Sequence, residues 1–336
     1  MRQISPKLLV HTILLVRKEL EKVQIRWRSQ LAAQRSQPNF LAHERVYQIL
    51  FPDHPYSKAN VVPGHLEKAG RDALRKVYRQ FYVPQNAYLL FAGPVDLAQA
   101  MDLAQQHFGG WKERSGASIT YPATGVLKGP LVCLIDRPGS AQSTIVVSGR
   151  ALPKAHPDLI TLKVANQVLG GGGTARLFLN LREDKGYTYG AYSRLQSYRK
   201  EGLFWAGASV KTESTLESIG EILKELDCMG RTAPTKKELR RCQSELVGAF
   251  IRQTETSNSV GQLEINRRVH RLSRDFYQNF IRRIGTVSQD QVVEISRQIF
   301  NPGSVVITVV GDRKFVESGL KKIGVLSIYD TQGNRT

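Results

Sequence analysis

The chain has 336 residues, of which 41% are hydrophobic and 23% are charged. This balance is typical of a globular protein and excludes a disordered chain, and no apolar run is long enough to span a bilayer. The formal net charge of +19 suggests an anionic partner such as nucleic acid, a lipid surface or an acidic protein. The basic residues are scattered rather than blocked, so solvated helix faces remain the alternative interpretation.

The N-terminus resembles a signal peptide only superficially. Its apolar run Leu8–Val16 is interrupted by His11 and Thr12, is followed by Arg17 and Lys18, and has no small-residue cleavage site after it. We therefore expect a helix end here, with a cytoplasmic location by default and a periplasmic one if the true N-terminus is missing.

An internal repeat organises the chain. The segments Asp72–Pro84 and Asp290–Pro302 align without a gap, and the two prolines lie 218 residues apart. Each proline is followed by an apolar β run, Ala87–Gly93 in the first copy and Val305–Gly311 in the second. The pattern predicts two homologous α/β domains rather than a solenoid.

The two copies differ in completeness. The second contains four further predicted strands and two further predicted helices: strands Leu131–Ile135, Ser143–Val147, Tyr187–Tyr192 and Gly202–Val210, and helices Leu159–Leu169 and Thr215–Leu226. By the same offset, about 90 residues of the first copy have no counterpart in the chain.

The domain boundaries follow from this comparison. Residues 1–111 are predicted to be a partial first domain with only its second half, and residues 112–129 a linker rich in Gly, Ser and Pro. Residues 130–326 would form a complete second domain, and residues 327–336 a tail. A domain without its opening strands is expected to expose a sheet edge and apolar helix faces.

No motif for a metal, a nucleophile or a nucleotide accompanies these domains. The seven histidines form neither HxxEH nor HxxxH, and the three widely spaced cysteines form no CxxC pair. A GxSxG elbow and a P-loop lysine are also absent. The run Gly170–Gly173 is better explained by close backbone packing at a helix C-terminus than by phosphate binding.

The segment Gly170–Ser193 is the most informative part of the sequence. It reads as a glycine run, a short amphipathic helix, a turn at Lys185-Gly186 and an aromatic strand. Arg182 ends the helix and Tyr189 lies on the strand, so a guanidinium and a phenol could together hold a peptide carbonyl or its oxyanion. The alternative is structural: Arg182 pairs with a nearby carboxylate and Tyr189 packs in the sheet.

Several motifs resemble the insulinase/pitrilysin-like zinc metallopeptidases, the family that includes mitochondrial processing peptidase. Thr174–Ser193 is similar to a second-domain segment of that family, and His54–Tyr56 to its HPY/HPF turn. Phe81–Gly93 and Phe108–Trp111 resemble the end of its first domain. The resemblance implies an α+β fold of tandem domains, each a mainly antiparallel sheet backed by helices.

The resemblance also implies a composite site. In the family four such domains enclose a peptide chamber, and one domain binds zinc through HxxEH and a downstream glutamate. An Arg-Tyr pair from another domain binds substrate, a role that would fall on Arg182 and Tyr189. Here HxxEH is absent and Gln30, a poor zinc ligand, occupies the third-ligand position.

These departures predict a non-catalytic subunit or fragment that is inactive alone. It would bind no zinc itself, and an HxxEH-bearing partner of the same family would supply the metal and cut the peptide or unfolded protein substrate. One alternative is a structural or assembly subunit without a proteolytic role. Another is a basic nucleic-acid-binding protein, which the net charge of +19 favours and the lack of a recognisable motif disfavours.

Overall fold

A computed structural model describes residues 17–58, 63–125, 127 and 129–336. The predicted helix end at Leu8–Val16 lies outside the described residues. Six strands form one sheet: β1 (Leu131–Asp136), β2 (Gln142–Ala151), β3 (Thr188–Ser197), β4 (Gly202–Lys211), β5 (Val306–Gly311) and β6 (Val325–Tyr329).

The described helices are numbered in chain order. In the first 130 residues they are α1 (Arg17–Arg35), α2 (Pro38–Leu50), α3 (Pro63–Lys68), α4 (Arg71–Phe81) and α5 (Leu97–Phe108). The remainder are α6 (Leu159–Gly170), α7 (Arg176–Phe178), α8 (Thr215–Arg231), α9 (Lys236–Gln253), α10 (Ser257–Val269), α11 (Phe280–Gly285), α12 (Gln289–Ile299) and α13 (Arg313–Ile323). Within the described chain, no helix is both long and apolar enough to cross a membrane.

The sheet has the strand order β3-β4-β2-β5-β1-β6. The pairs from β3 through to β5 are antiparallel, whereas β1 pairs in parallel with both β5 and β6. The expected mixed fold, a mainly antiparallel sheet backed by helices, is thus confirmed in the part of the chain that contains the complete second copy.

Side chains alternate between the two faces of this sheet along each strand, and each face is covered by its own apolar cluster. Val132 and Leu134 of β1 point into the larger core with α6, α8 and α12. Cys133 and Ile135 point to the opposite face, where the aliphatic side chains of α2 pack. The pKa of the Cys133 thiol is raised to about 12 by burial, so this cysteine is neutral, as its apolar neighbourhood requires.

The chain divides into two compact units whose members are not contiguous in sequence. The smaller comprises the described parts of 1–34 and 60–121 together with 253–266, and the larger comprises the described parts of 35–59 and 122–252 together with 267–336. Each unit therefore contains a helical segment from the other half of the sequence.

This division differs from the predicted boundaries at residues 111 and 130. The exchanged segments 35–59 and 253–266 begin 218 residues apart, so they are equivalent positions of the repeat. α2 belongs with the larger unit because Leu41, Val46 and Leu50 bury an apolar stripe against that unit's sheet. Periodicity identifies such a stripe but does not say which sheet it covers.

The last ten residues are not a free tail. β6 includes Ser327–Tyr329, and Tyr329 forms a further β-bridge with Arg335. The backbone carbonyl of Gly333 accepts a 3.0 Å hydrogen bond from Arg45, whose guanidinium lies 3.6 Å from the centroid of the Tyr329 ring. The C-terminus is therefore an integral part of the larger unit.

The smaller unit contains no paired strand among its described residues. The segment Ala87–Gly93 was predicted as a strand, but residues 87–92 belong to no strand and residue 93 is a bend, so the strand prediction is wrong for this structure. Tyr88, Leu89 and Phe91 are exposed along this segment, and Leu97 and Met101 are exposed on α5. A strand forms only against a neighbour, and no strand pairs with this segment in the described part of the chain.

Candidate substrate-binding site

The backbone between α7 and β3 forms a π-helical turn, Leu179–Asp184, that carries Arg182. Leu177 and Leu181 are fully buried on its inner side and Phe178 is nearly so, which fixes the turn against the core. Gly186, at φ 66°, then reverses the chain into β3 in a conformation that favours glycine. The predicted amphipathic helix is confirmed, although its second half is wider than an α-helix.

Arg182 projects from this turn into solvent. Its side chain is 46% exposed, and Nε lies 3.4 Å from a carboxylate oxygen of the adjacent Glu183. The guanidinium carbon is 4.8 Å from the centroid of the Phe178 ring. An aromatic ring beneath the guanidinium plane holds its orientation while leaving its N–H groups available to an acceptor.

Tyr189 lies at the start of β3, where the pairing with β4 is irregular between Thr188 and Ala191. The Thr188 hydroxyl bridges this irregularity: it donates to Ser209 O at 2.7 Å and accepts from Gly190 N at 3.2 Å. The Tyr189 side chain is 89% exposed. A β-bulge on an edge strand redirects a side chain away from the sheet, which explains this exposure.

The two candidate residues differ in their surroundings. Arg182 has a neighbouring carboxylate, as the structural alternative expected. Tyr189 does not pack in the sheet, contrary to that alternative, and its hydroxyl has no hydrogen-bond partner in the described part of the chain. Among the described residues, no hydrogen bond or ring contact joins Arg182 to Tyr189.

Two supporting residues were not identified from the sequence. Phe178 lies four residues before Arg182, which is the helical spacing at which side chains meet. Asn180 fixes the other side of the turn, since its Nδ2 donates to Glu221 at 2.9 Å and to Glu225 at 2.7 Å. The hydrogen bond that Asn180 donates to Glu221 is the largest cause of the lowered pKa of the Glu221 carboxyl group.

The first glycine of the run packs closely, as predicted. Gly170 ends α6 so close to β3 that a Cβ atom there would lie 2.3 Å from the backbone nitrogen of Ser193. Ser193 Oγ also donates to the carbonyl of Asn166 at 3.2 Å, which joins the same helix to the same strand. The absence of a side chain at Gly170 thus positions the strand on which Tyr189 lies.

Potential metal ligands do not converge among the described residues. No group of three or more His, Cys, Asp or Glu side chains able to hold a metal occurs in the portion that the structure describes. Gln30 is exposed on α1, whereas His54 is buried with Nδ1 accepting a 3.1 Å hydrogen bond from Tyr56 N. His54–Tyr56 lies in the larger unit, where Tyr56 packs 4.6 Å from the Tyr198 ring.

Comparison with known proteins decides the family. The family model described as the peptidase M16 inactive domain matches residues 68–246, more than half of the chain. The chain belongs to the peptidase M16 family. The resemblance to zinc metallopeptidases inferred from the sequence motifs is thereby confirmed.

Individual relatives agree with this assignment. The chain is 25% identical to an uncharacterized zinc protease of Mycobacterium leprae over 81% of its own length and 62% of that protein. It is 24% identical to the mitochondrial-processing peptidase subunit alpha of Rattus norvegicus, over 71% of its length and 50% of that subunit. The chain thus spans less than two thirds of these relatives.

The fold is also that of a solved structure. A peptidase M16 inactive domain from Pseudomonas fluorescens superposes with a TM-score of 0.84 at 19% identity, covering 91% of this chain and 73% of that one.

Proposed function

We propose that this chain is a non-catalytic M16 subunit that presents Arg182 and Tyr189 to a peptide substrate, while an HxxEH-bearing chain supplies zinc. Two observations carry the proposal: Tyr189 is 89% exposed, and the guanidinium of Arg182 lies over the ring of Phe178. An exposed phenol and a pre-oriented guanidinium are two donors suited to a peptide carbonyl.

The chemistry assigned to this chain is binding and orientation. Arg182 would donate to the carbonyl oxygen of the peptide near the scissile bond, and Tyr189 would add a second donor at the same oxygen. Such donors accelerate cleavage most when they strengthen as negative charge develops on that oxygen. Zinc, held by the partner, would activate the attacking water.

The similarity to the rat protein supports the proposal that this chain has a partner chain, because that relative is by name one subunit of a peptidase. The smaller unit supports it independently. Its unpaired segment 87–92 is equivalent in the repeat to residues 305–310, which include most of β5, a strand with a neighbouring strand on each side. A cavity of about 560 Å³ beside this segment is lined by aromatic side chains including Phe81, Phe108 and Trp111.

We propose that a β-strand of the zinc-bearing chain pairs with residues 87–92. An extended apolar strand would satisfy the backbone groups of that segment and cover Tyr88, Leu89 and Phe91. This occupant is favoured over a helix because the equivalent strand β5 forms both of its lateral contacts with strands.

The decisive experiment is reconstitution with an HxxEH-bearing family member from the same organism, with R182Q and Y189F variants of this chain. We expect kcat/KM for peptide cleavage to fall about 10²-fold for each, because each variant removes one donor. R194Q, which removes an exposed arginine from the same strand, should retain full activity.

Two results would contradict the proposal. Unchanged peptide cleavage with both variants would favour a purely structural role for this chain, because cleavage would then not require the Arg-Tyr pair. Stoichiometric zinc and chelator-sensitive cleavage by the isolated chain would show that it is itself a catalyst.

A further inference from the structure

The larger unit carries a strongly basic segment, residues 267–283, which begins at the end of α10. It contains six arginines, no lysine and a single acidic residue, Asp275, which gives a net charge of +5. A segment with this charge attracts anionic groups when its side chains face solvent. The proposed peptide-binding role of the chain leaves it unused.

One side of this segment is anchored in the core of the larger unit. Four buried apolar side chains recur at every fourth position: Leu272, Phe276, Phe280 and Ile284. The backbone between them forms helical turns, in which Asn279 N donates to Asp275 O at 3.0 Å and Arg283 N donates to Asn279 O at 2.9 Å. Because residues four apart share one side of a helix, the intervening positions face away from the core.

The outward side presents arginines around one apolar residue. Arg271, Arg274 and Arg282 are exposed, and Ile281 is 42% exposed. Arg274 and Arg282 are eight residues apart, a separation of about 12 Å along helical turns. These three arginines are called the arginine face below.

Side-chain contacts fix the later end of this segment against its earlier end. Arg282 Nη2 donates to Asn279 Oδ1 at 3.0 Å, and Asn279 Nδ2 donates in turn to Asp275 Oδ2. The Arg283 guanidinium lies 5.7 Å from the centroid of the Phe276 ring. The outward guanidinium of Arg282 is therefore held by a neutral amide, which orients it without cancelling its charge.

The arginine face has no internal counter-charge. In the part of the chain that the structure describes, none of Arg271, Arg274 and Arg282 forms an ion pair. The Asp275 carboxylate is engaged by the Asn279 amide, and its negative charge interacts with Arg283 rather than with these three. A surplus of positive charge is left at the surface.

The composition of the face favours a protein partner over nucleic acid or lipid. Arginine is enriched and lysine depleted at protein interfaces, and the planar guanidinium pairs with a carboxylate through two hydrogen bonds. Stacking on bases needs exposed aromatic rings, but Phe276 and Phe280 are buried. Insertion into a lipid interface needs an outward apolar side, whereas the apolar side of this segment packs in the core.

We propose that the arginine face docks an acidic segment of a partner protein, with Ile281 as its apolar contact. Carboxylates four residues apart in an extended segment are roughly 13 Å apart, which matches the separation of Arg274 and Arg282. A single exposed ion pair contributes little, so the segment must carry several carboxylates.

The test uses the full chain and a capped, fluorescein-labelled decapeptide that carries five glutamates and one central leucine. The matched control peptide has glutamine in place of every glutamate. We expect saturable one-to-one binding of the acidic peptide, measured by fluorescence anisotropy, which weakens as the salt concentration is raised. The glutamine peptide should bind at least about tenfold more weakly, because it lacks the charges.

Variants of the arginine face test its role directly. R271Q/R274Q/R282Q should weaken binding of the acidic peptide about tenfold, because three surface ion pairs are lost. R271K/R274K/R282K keeps the charge but lacks the planar fork, and it should bind with intermediate affinity. R274Q alone gives a second measurement should a triple variant not fold, and it should cause a smaller loss.

A charge-matched control separates the arginine face from the general charge of the chain. K211Q/K314Q/K322Q removes three charges from exposed positions outside the segment and should leave the affinity unchanged. Equal losses in this variant and in the arginine-to-glutamine triple variant would overturn the proposal, as would failure of the wild-type chain to bind the acidic peptide.

Other occupants would be recognised in the same assay. Tighter binding of a double-stranded DNA oligonucleotide or of phosphatidylserine vesicles, lost in R271Q/R274Q/R282Q, would assign the face to a polyanion and overturn a protein partner. No zinc-bearing chain is present, so none of these outcomes bears on peptide cleavage or on the Arg-Tyr pair.

Discussion

At the scale of single residues, Arg271 adopts a conformation that its side chain disfavours. It has φ 54°, the left-handed region, where it ends α10. The adjacent Leu272 N donates to Arg267 O at 2.9 Å, and Arg271 N donates to Arg268 O at 3.2 Å. This is a Schellman motif with arginine at the position where helices usually have glycine.

We expect R271G to stabilise the chain by about 1 kcal/mol, because glycine adopts this conformation without steric cost. Urea denaturation would measure the change. R274G removes the same charge three residues later, at a position with negative φ, and should be neutral or destabilising. If both glycines stabilised equally, loss of charge rather than backbone strain would be the cause.

Lys163 should make stability depend on pH. Burial and the neighbouring Lys154 lower the pKa of Lys163 to about 8, from its ordinary value of 10.5. Between these values the unfolded chain binds a proton that the folded chain does not, so this residue's contribution makes stability rise with pH across that interval. Below about pH 8 its full destabilising contribution is present.

The variant K163M should therefore be more stable than wild type at pH 7, by about 1–3 kcal/mol, and less dependent on pH between 8 and 10.5. Thermal or urea unfolding across this pH range would measure both effects. K322M, from the exposed face of α13, provides the control and should follow the wild-type profile. Parallel profiles for K163M and wild type would show that Lys163 titrates normally.

At the scale of elements, the contact between α6 and β3 depends on a missing side chain. G170A would place a Cβ atom 2.3 Å from Ser193 N, which forces helix and strand apart. We expect a loss of about 1–3 kcal/mol in unfolding free energy. G220A, in α8 with no atom within 4 Å of the new Cβ, should instead stabilise by about 0.5–1 kcal/mol. Equal responses would exclude close packing as the reason for glycine at position 170.

The sequence predicted elements well where their patterns are local. α6 begins at Leu159 and β4 begins at Gly202, as the apolar periodicity and turn residues indicated. The strand prediction for residues 87–92 was wrong because a strand requires a pairing partner. The periodicity of the sequence carries no information about that partner. The exposure of Tyr189 also could not be predicted, since it depends on the irregular pairing of β3 with β4.

At the scale of the whole molecule, the smaller unit should govern solution behaviour. Its exposed Tyr88, Leu89, Leu97 and Met101 form apolar surface that soluble monomers normally cover. We expect the isolated chain to self-associate and to bind a fluorescent dye for apolar surfaces, and both effects to disappear on pairing with the zinc-bearing chain. Size-exclusion chromatography and dye titration would measure them.

A soluble monomer that melts cooperatively and binds no dye would contradict this expectation. Such behaviour would indicate that residues 87–92 acquire their cover within the chain itself, and the proposed strand from a partner would then be unnecessary.

The exchange of equivalent helices between the two units has a consequence for biosynthesis. The smaller unit includes residues 253–266, so its first segments leave the ribosome long before the helix that completes them. In most chains the N-terminal domain folds first, as a unit, while synthesis continues. Here residues 63–121 are synthesised well before residues 253–266, so their unit stays incomplete while the intervening segment is made. The nascent chain should therefore need chaperone protection during that interval.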